Sequence, residues 1–179
     1  MAPKYVETKD GVRLINLDKY RVGLPAGDGW KVRVNRRREW VEYWRSSDST
    51  MIHIKMNWIA DKAAFDWTEE DVAEDYLGKE AHLSGIFGPA ALGYESINAR
   101  RDTLELDGRR FYFATYRKAM PGNGKQEAQA AIRVYLSFPE SFRRTHIFYI
   151  LAIQTPVEGD EHMASLMPII PVLRTFQPK

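Results

Sequence analysis

VNRRREWVEYWR, residues 34–45, is joined by SSDST to MIHIKMNWI, residues 51–59. Whether the first segment is helix or strand decides the fold. As a helix capped by Asn35 it would set Arg36, Arg37 and Arg38 at the positive end of the helix dipole, where cations are unfavourable. Trp40, Val41, Tyr43 and Trp44 are strand-favouring types. The segment therefore reads as a strand, with a turn at Asn35–Arg38 between it and a preceding strand holding Val32 and Val34. The second segment alternates: Ile52, Ile54, Met56 and Trp58 fall on one face, His53, Lys55 and Asn57 on the other, the period of a half-buried strand.

The two strands have a preferred register. With Ser46–Ser49 as the loop, Arg45 opposes Thr50. Val41 and Tyr43 then meet Ile54 and Ile52 on one apolar face, while Trp40, Glu42 and Trp44 meet Lys55, His53 and Met51 on the other. A slip of one residue would put the two apolar sets on opposite faces. The register separates the basic turn from the aromatic strand and makes a mixed face of Trp40, Glu42, Trp44 and His53. Three readings of that face follow. The indoles are covered by a helix or loop, as large aromatics usually are. Alternatively, Trp40, Glu42, Trp44 and His53 form a surface for a ligand or partner. In the third, the arginines bind nucleic acid.

Outward from this hairpin the chain reads as more sheet than helix. KYRVGLPAGDGWKVRV, residues 19–34, is a strand, a turn around Leu24–Gly27, and a second strand from Trp30. Thr68 followed by Glu69, Glu70 and Asp71 marks a helix start, with Val72, Tyr76, Leu77 and Leu83 as its apolar stripe. Gly78 weakens its middle and Gly85 is the expected stop. In TLELDGRRFYFATYR the Asp107-Gly108 pair between alternating runs predicts a hairpin. HIFYILAIQT, apolar on both faces, predicts a central buried strand. A last helix is expected from about Asp160, interrupted at Pro168 and Pro171. The fold class is α+β: a central antiparallel sheet of about six or seven strands with helices on both faces, in one domain spanning residues 1–179.

YRVGLPAGDGW, LELDGRRFYFATYR, and HIFYILAIQT followed by a helix ending LRTFQPK together resemble the PsbP-like αβα-sandwich superfamily. That group includes an extrinsic photosystem subunit, a Ran-binding import factor and small bacterial lipoprotein-like domains. The resemblance implies an antiparallel sheet between helices, and partner binding or assembly support rather than catalysis. It assigns no functional residue, and the lipid-bearing cysteine of bacterial relatives has no counterpart here.

The chemistry on offer is limited. With no cysteine there is no disulfide, thiolate metal site or cysteine nucleophile. Lys+Arg 26 against Asp+Glu 24 leaves little net field, which argues against a generic polyanion binder. The pairs Arg100-Arg101 and Arg109-Arg110 bracket one short strand and, with Arg143-Arg144, cannot line one groove. PGNGK, residues 121–125, lacks the spacing and the following Ser/Thr of a phosphate loop. His53, His82, His146 and His162 are dispersed and read as solvated; Glu158 and His162 alone make no metal site. Neither a nucleophile elbow nor a zinc-protease pattern occurs, and no cofactor or metal is expected. No apolar run is long enough to span a membrane. The N-terminus lacks a signal-peptide core, which suits a cytoplasmic protein, or a periplasmic or anchored domain whose export segment has been removed. The expected function is a non-enzymatic binding or assembly-accessory module for a protein or small ligand. The alternatives are a small-molecule hydrolase or isomerase using Glu42 and His53, and nucleic-acid binding through the arginine turns.

Overall fold

The computed structural model describes residues 5–7, 13–96, 102–120, 128–157 and 166–179. Its principal sheet is antiparallel throughout. In spatial order it holds β4 (Trp30–Asn35), β5 (Trp40–Arg45), β6 (Thr50–Trp58), β11 (Ile147–Val157), β10 (Ala128–Ser137), β9 (Arg109–Met120) and β7 (Glu95–Ser96). An eighth strand, β8 (Asp102–Leu106), shares the outer edge of β9 and turns into it through Asp107-Gly108. A smaller sheet runs β1 (Tyr5–Glu7), β2 (Arg13–Asn16), β3 (Tyr20–Val22), β12 (Gln177–Pro178). The architecture is α+β with helices on both faces of the principal sheet, as the sequence predicts.

Period-two alternation distributes the side chains to two core layers. On one face α1 (Glu69–Leu77) and α2 (Ala81–Phe87) pack over Ile132, Val134, Phe148 and Ile150. On the other, α4 (Ile170–Thr175) and the small sheet cover Val41, Tyr43, Ile52, Ile54, Leu151 and Ile153, all fully buried. β11 contributes alternate residues to both layers and pairs with β6 and β10, the central position its apolar sequence predicts. The β5–β6 register is the expected one, from Arg45 opposite Thr50 to Trp40 opposite Lys55.

Several local expectations are corrected. The β4–β5 turn lies one residue later than predicted, at residues 36–39, because Asn35 pairs with Trp40 and its side chain accepts from the Arg38 amide at 3.0 Å. Thr68 does cap α1, reciprocally with Asp71, but that helix ends at Gly78 and a separate helix follows. A glycine costs about 1 kcal/mol inside a helix, enough here to divide one expected element into two. Gly85 lies within α2, and Gly88, at φ 64, closes it. The interruption expected at Pro168 and Pro171 is present among the described residues: Leu166 is helical, a 3-10 turn (Met167–Ile169) follows, and α4 starts anew at Ile170, with each proline in a first-turn position where an amide hydrogen is not needed. The expected helix start near Asp160 lies outside the described residues, as do PGNGK, Glu158 and His162. Trp58, grouped with Ile52 and Ile54 by alternation, is 60% exposed, because β6 runs past the covered layer. Among the described residues no helix is long and apolar enough to cross a membrane.

Glu39 closes the β4–β5 turn with φ 52, yet it is buried. Its carboxylate accepts from the amides of Asp18 and Lys19 at 3.3 and 3.1 Å, and its carbonyl accepts from the Tyr20 hydroxyl at 3.1 Å. One side chain thus ties the small sheet to the tip of the principal hairpin. Glu39→Ala strands two amides and is expected to cost about 1–3 kcal/mol in urea unfolding. A change below about 0.5 kcal/mol would show that water replaces the carboxylate without loss.

Candidate functional site

β5 has unlike faces. Val41 and Tyr43 are fully buried toward α4, whereas Trp40, Glu42 and Trp44 on the α2 side are only half-buried. The cause is the reach of the helices. Phe87, at the end of α2, meets the His53 ring edge-on at 6.5 Å. The Lys55 ammonium donates to the Gly85 carbonyl at 3.0 Å. The helix layer thus buries His53 of β6, while Met51 and Lys55 beside it, like the facing residues of β5, are covered only in part.

On this face Trp40 stacks on His53, centroids 5.6 Å apart and planes 30° from parallel. The Arg33 guanidinium lies over the Trp40 ring, 5.2 Å from its centroid, and donates to Glu42 Oε1 at 3.0 Å. Glu42 Oε2 is 3.6 Å from His53 Nδ1, an electrostatic contact longer than a hydrogen bond. Burial lowers the His53 proton affinity to about 4; Glu42 opposes this, and Lys55 and Arg33 add to it. At neutral pH the imidazole is uncharged and acts as a ring in a stack.

The sequence-predicted set is therefore brought together in part. Trp40, Glu42 and His53 form one contact group, and Trp44 flanks it on the same face, opposite Lys31 and Met51. The choice between covered and open indoles resolves to an intermediate state, since both are half-buried. Arg33 was missed. It follows from the register once the turn is placed at residues 36–39, because Arg33 then stands opposite Glu42.

Among the described residues the expectation of solvated histidines fails for His53 alone; His82 and His146 keep partial exposure. His53 is buried on Trp40, His82 stacks on Tyr76 at 4.1 Å, and His146 stacks on Phe65 at 4.2 Å. Among the described residues no group of three or more potential metal ligands converges. The arginine pairs serve separate ends of the fold. Arg109 donates to the Leu173 and Arg174 carbonyls at the end of α4, Arg110 pairs with Glu105, and Arg143 and Arg144 are exposed in α3 (Phe142–Thr145). Arg100 and Arg101 lie outside the described residues.

No protein-family model and no curated protein matches the sequence. Among solved structures, the chain is similar to a cyanobacterial PsbP from Synechocystis, with TM-score 0.47 and 15% identity, covering 100% of this chain and 94% of that one. It is likewise similar to the Saccharomyces cerevisiae Ran-binding protein Mog1p, with TM-score 0.44, 14% identity and coverage of 99% and 95%. A third is LpqN of Mycobacterium tuberculosis, described as involved in cell envelope biogenesis, with TM-score 0.45, 13% identity and coverage of 99% and 91%. These proteins share the PsbP/Mog1 fold that the sequence motifs resemble. The likeness is one of chain path and says nothing of a partner.

Proposed function

We propose that the chain is a non-enzymatic binding or assembly-accessory module whose partner meets the α2-side face of β5. The observation carrying this reading is the asymmetry of that strand. Val41 and Tyr43 are 0% exposed, while Trp40, Glu42 and Trp44, one residue away in each case, keep solvent-accessible surface beside the end of the helix layer. Half-buried indoles next to a fixed ion pair combine a large apolar contact with a polar guide, the composition of binding hot spots. His53 supports Trp40 from beneath rather than touching the partner.

The alternative of acid–base chemistry by Glu42 and His53 draws on their 3.6 Å contact. It is the weaker reading, because an imidazole neutral down to about pH 4 does not exchange its proton near neutrality.

The test is the double variant Trp40→Ala, Trp44→Ala, immobilised beside the unaltered chain and exposed to lysate of the source organism. The expected result is loss of a specifically retained partner with a cooperative unfolding transition preserved. If the melting temperature collapses, the indoles belong to the core. If the same partner is retained with equal yield, the face is not the binding surface.

A further inference from the structure

The principal sheet ends at β4, and among the described residues no strand pairs with its outer edge. This edge is guarded against self-association by charge and by no other device. Its six residues, Trp30–Asn35, hold continuous register with Arg45–Trp40, and they include no proline. Natural edges are protected by bulges, prolines, extreme shortness or charged side chains; of these, β4 carries only charge. Lys31, Arg33, Arg36, Arg37 and Arg38 stand between Trp30 and Arg38 with no acidic residue among them, and all five are exposed.

The two faces of this strand specify what could lie beside it. Lys31 and Arg33 share the face that carries Trp44 and Glu42. Trp30, Val32 and Val34 point the other way, half-buried against the second core layer, so that layer is left open at its margin. In a sheet, side chains directly opposite one another share a face and interact. A strand added beyond β4 would therefore place alternate residues against Lys31 and against Arg33, which already pairs with Glu42, and the intervening ones against an apolar margin. A second copy of β4 is unsuitable, because it would bring like charges together. An acidic strand with apolar residues at every second position fits both faces.

We propose that β4 is an acceptor edge, completed by an extended segment of a partner protein that alternates acidic and apolar residues. Main-chain hydrogen bonds supply the attachment, and the alternation supplies selectivity, as in other cases of strand addition. The inference rests on the reading of β5 as a binding face, which it extends across the adjacent strand to the sheet margin.

The experiment titrates the isotopically labelled full chain with a capped heptapeptide alternating glutamate and valine. Amide resonance shifts are expected to concentrate in residues 30–35. Three changes are expected to weaken binding by about tenfold or more: N-methylation of the peptide along its bonding edge, exchange of its glutamates for lysines, and the double variant Lys31→Glu, Arg33→Glu. Because the N-methylated series uses the unaltered protein, it decides the matter even if the variant does not fold. Absence of shifts overturns the proposal. So does equal binding by peptides methylated on either edge, which would indicate charge attraction alone. Shifts spread over the arginine turns and reproduced by oligothymidylate would also overturn it, in favour of polyanion binding. If the peptide fails while the Trp40/Trp44 variant still loses its partner, strand addition is wrong and the β5 face stands. If the peptide binds while that variant keeps its partner, strand addition stands and the β5-face reading fails.

Discussion

Phe176→Ala is expected to lower the unfolding free energy by about 3–5 kcal/mol and the melting temperature by on the order of 10 °C. Phe176 is fully buried at the junction of three elements. Its amide donates to the Val172 carbonyl at 3.0 Å, closing α4, and the next two residues form β12 against β3. The ring packs between Tyr20 of β3, at 5.4 Å, and Tyr149 of β11, at 5.2 Å. Removing it leaves a cavity that these neighbours are poorly placed to fill. The Tyr20 hydroxyl is tied to the Glu39 carbonyl and the Tyr149 hydroxyl to the Lys19 carbonyl, at 3.1 and 3.0 Å. Cavity cost is greatest where the surroundings cannot collapse, so the upper part of the range is expected. Equilibrium urea unfolding gives the value. A loss below about 1 kcal/mol would mean that the small sheet shifts onto the principal one, and that the tyrosine hydroxyls do not hold the layers apart.

What was legible in the sequence was whatever period and turn chemistry alone determine. Ile52 and Ile54 alternating with His53 and Lys55 settle the face of β6, and the apolar pair Val41 and Tyr43 then sets the register of β5. Asp107-Gly108 marks its hairpin because few other residue pairs suit so tight a turn. The grouping of Trp40, Glu42 and His53 is a consequence of that register. Their degree of cover is not, since it depends on where Phe87 comes to rest after two helices separated at Gly78 have packed. No local pattern reports that distance. Glu39 shows the same limit: a glutamate after three arginines reads as one more charged turn residue. Only the approach of Asp18 and Lys19 from another sheet makes it a buried acceptor. The displaced turn had a local cause, the Asn35 side chain accepting from Arg38, and it alone concealed the pairing of Arg33 with Glu42.

Acidification from pH 7 to pH 4 is expected to remove roughly 3 kcal/mol of stability through His53 alone. The folded-state proton affinity of this ring, about 4, lies below the ordinary value of 6.5, with burial as the leading cause. Protons therefore favour the unfolded chain. Above about pH 6.5 neither state binds the proton and the group is silent. Between there and about pH 4 the unfolded chain takes it up and the folded chain does not, so stability falls as pH falls. Below about 4 both states are protonated and the loss from this group levels off. The groups that face the ring bear on the size of the effect: Glu42 favours the imidazolium, whereas Lys55 and Arg33 oppose it. His53→Phe keeps a flat ring between Trp40 and Phe87 and removes the titration. Its urea-unfolding free energy, measured at several pH values, should fall less steeply than that of the unaltered chain from pH 6.5 to pH 4, with the carboxylates contributing equally to both. Parallel curves would mean that His53 is protonated within the fold, paired with Glu42. That outcome would restore the acid–base alternative, because the pair would then change charge near neutrality.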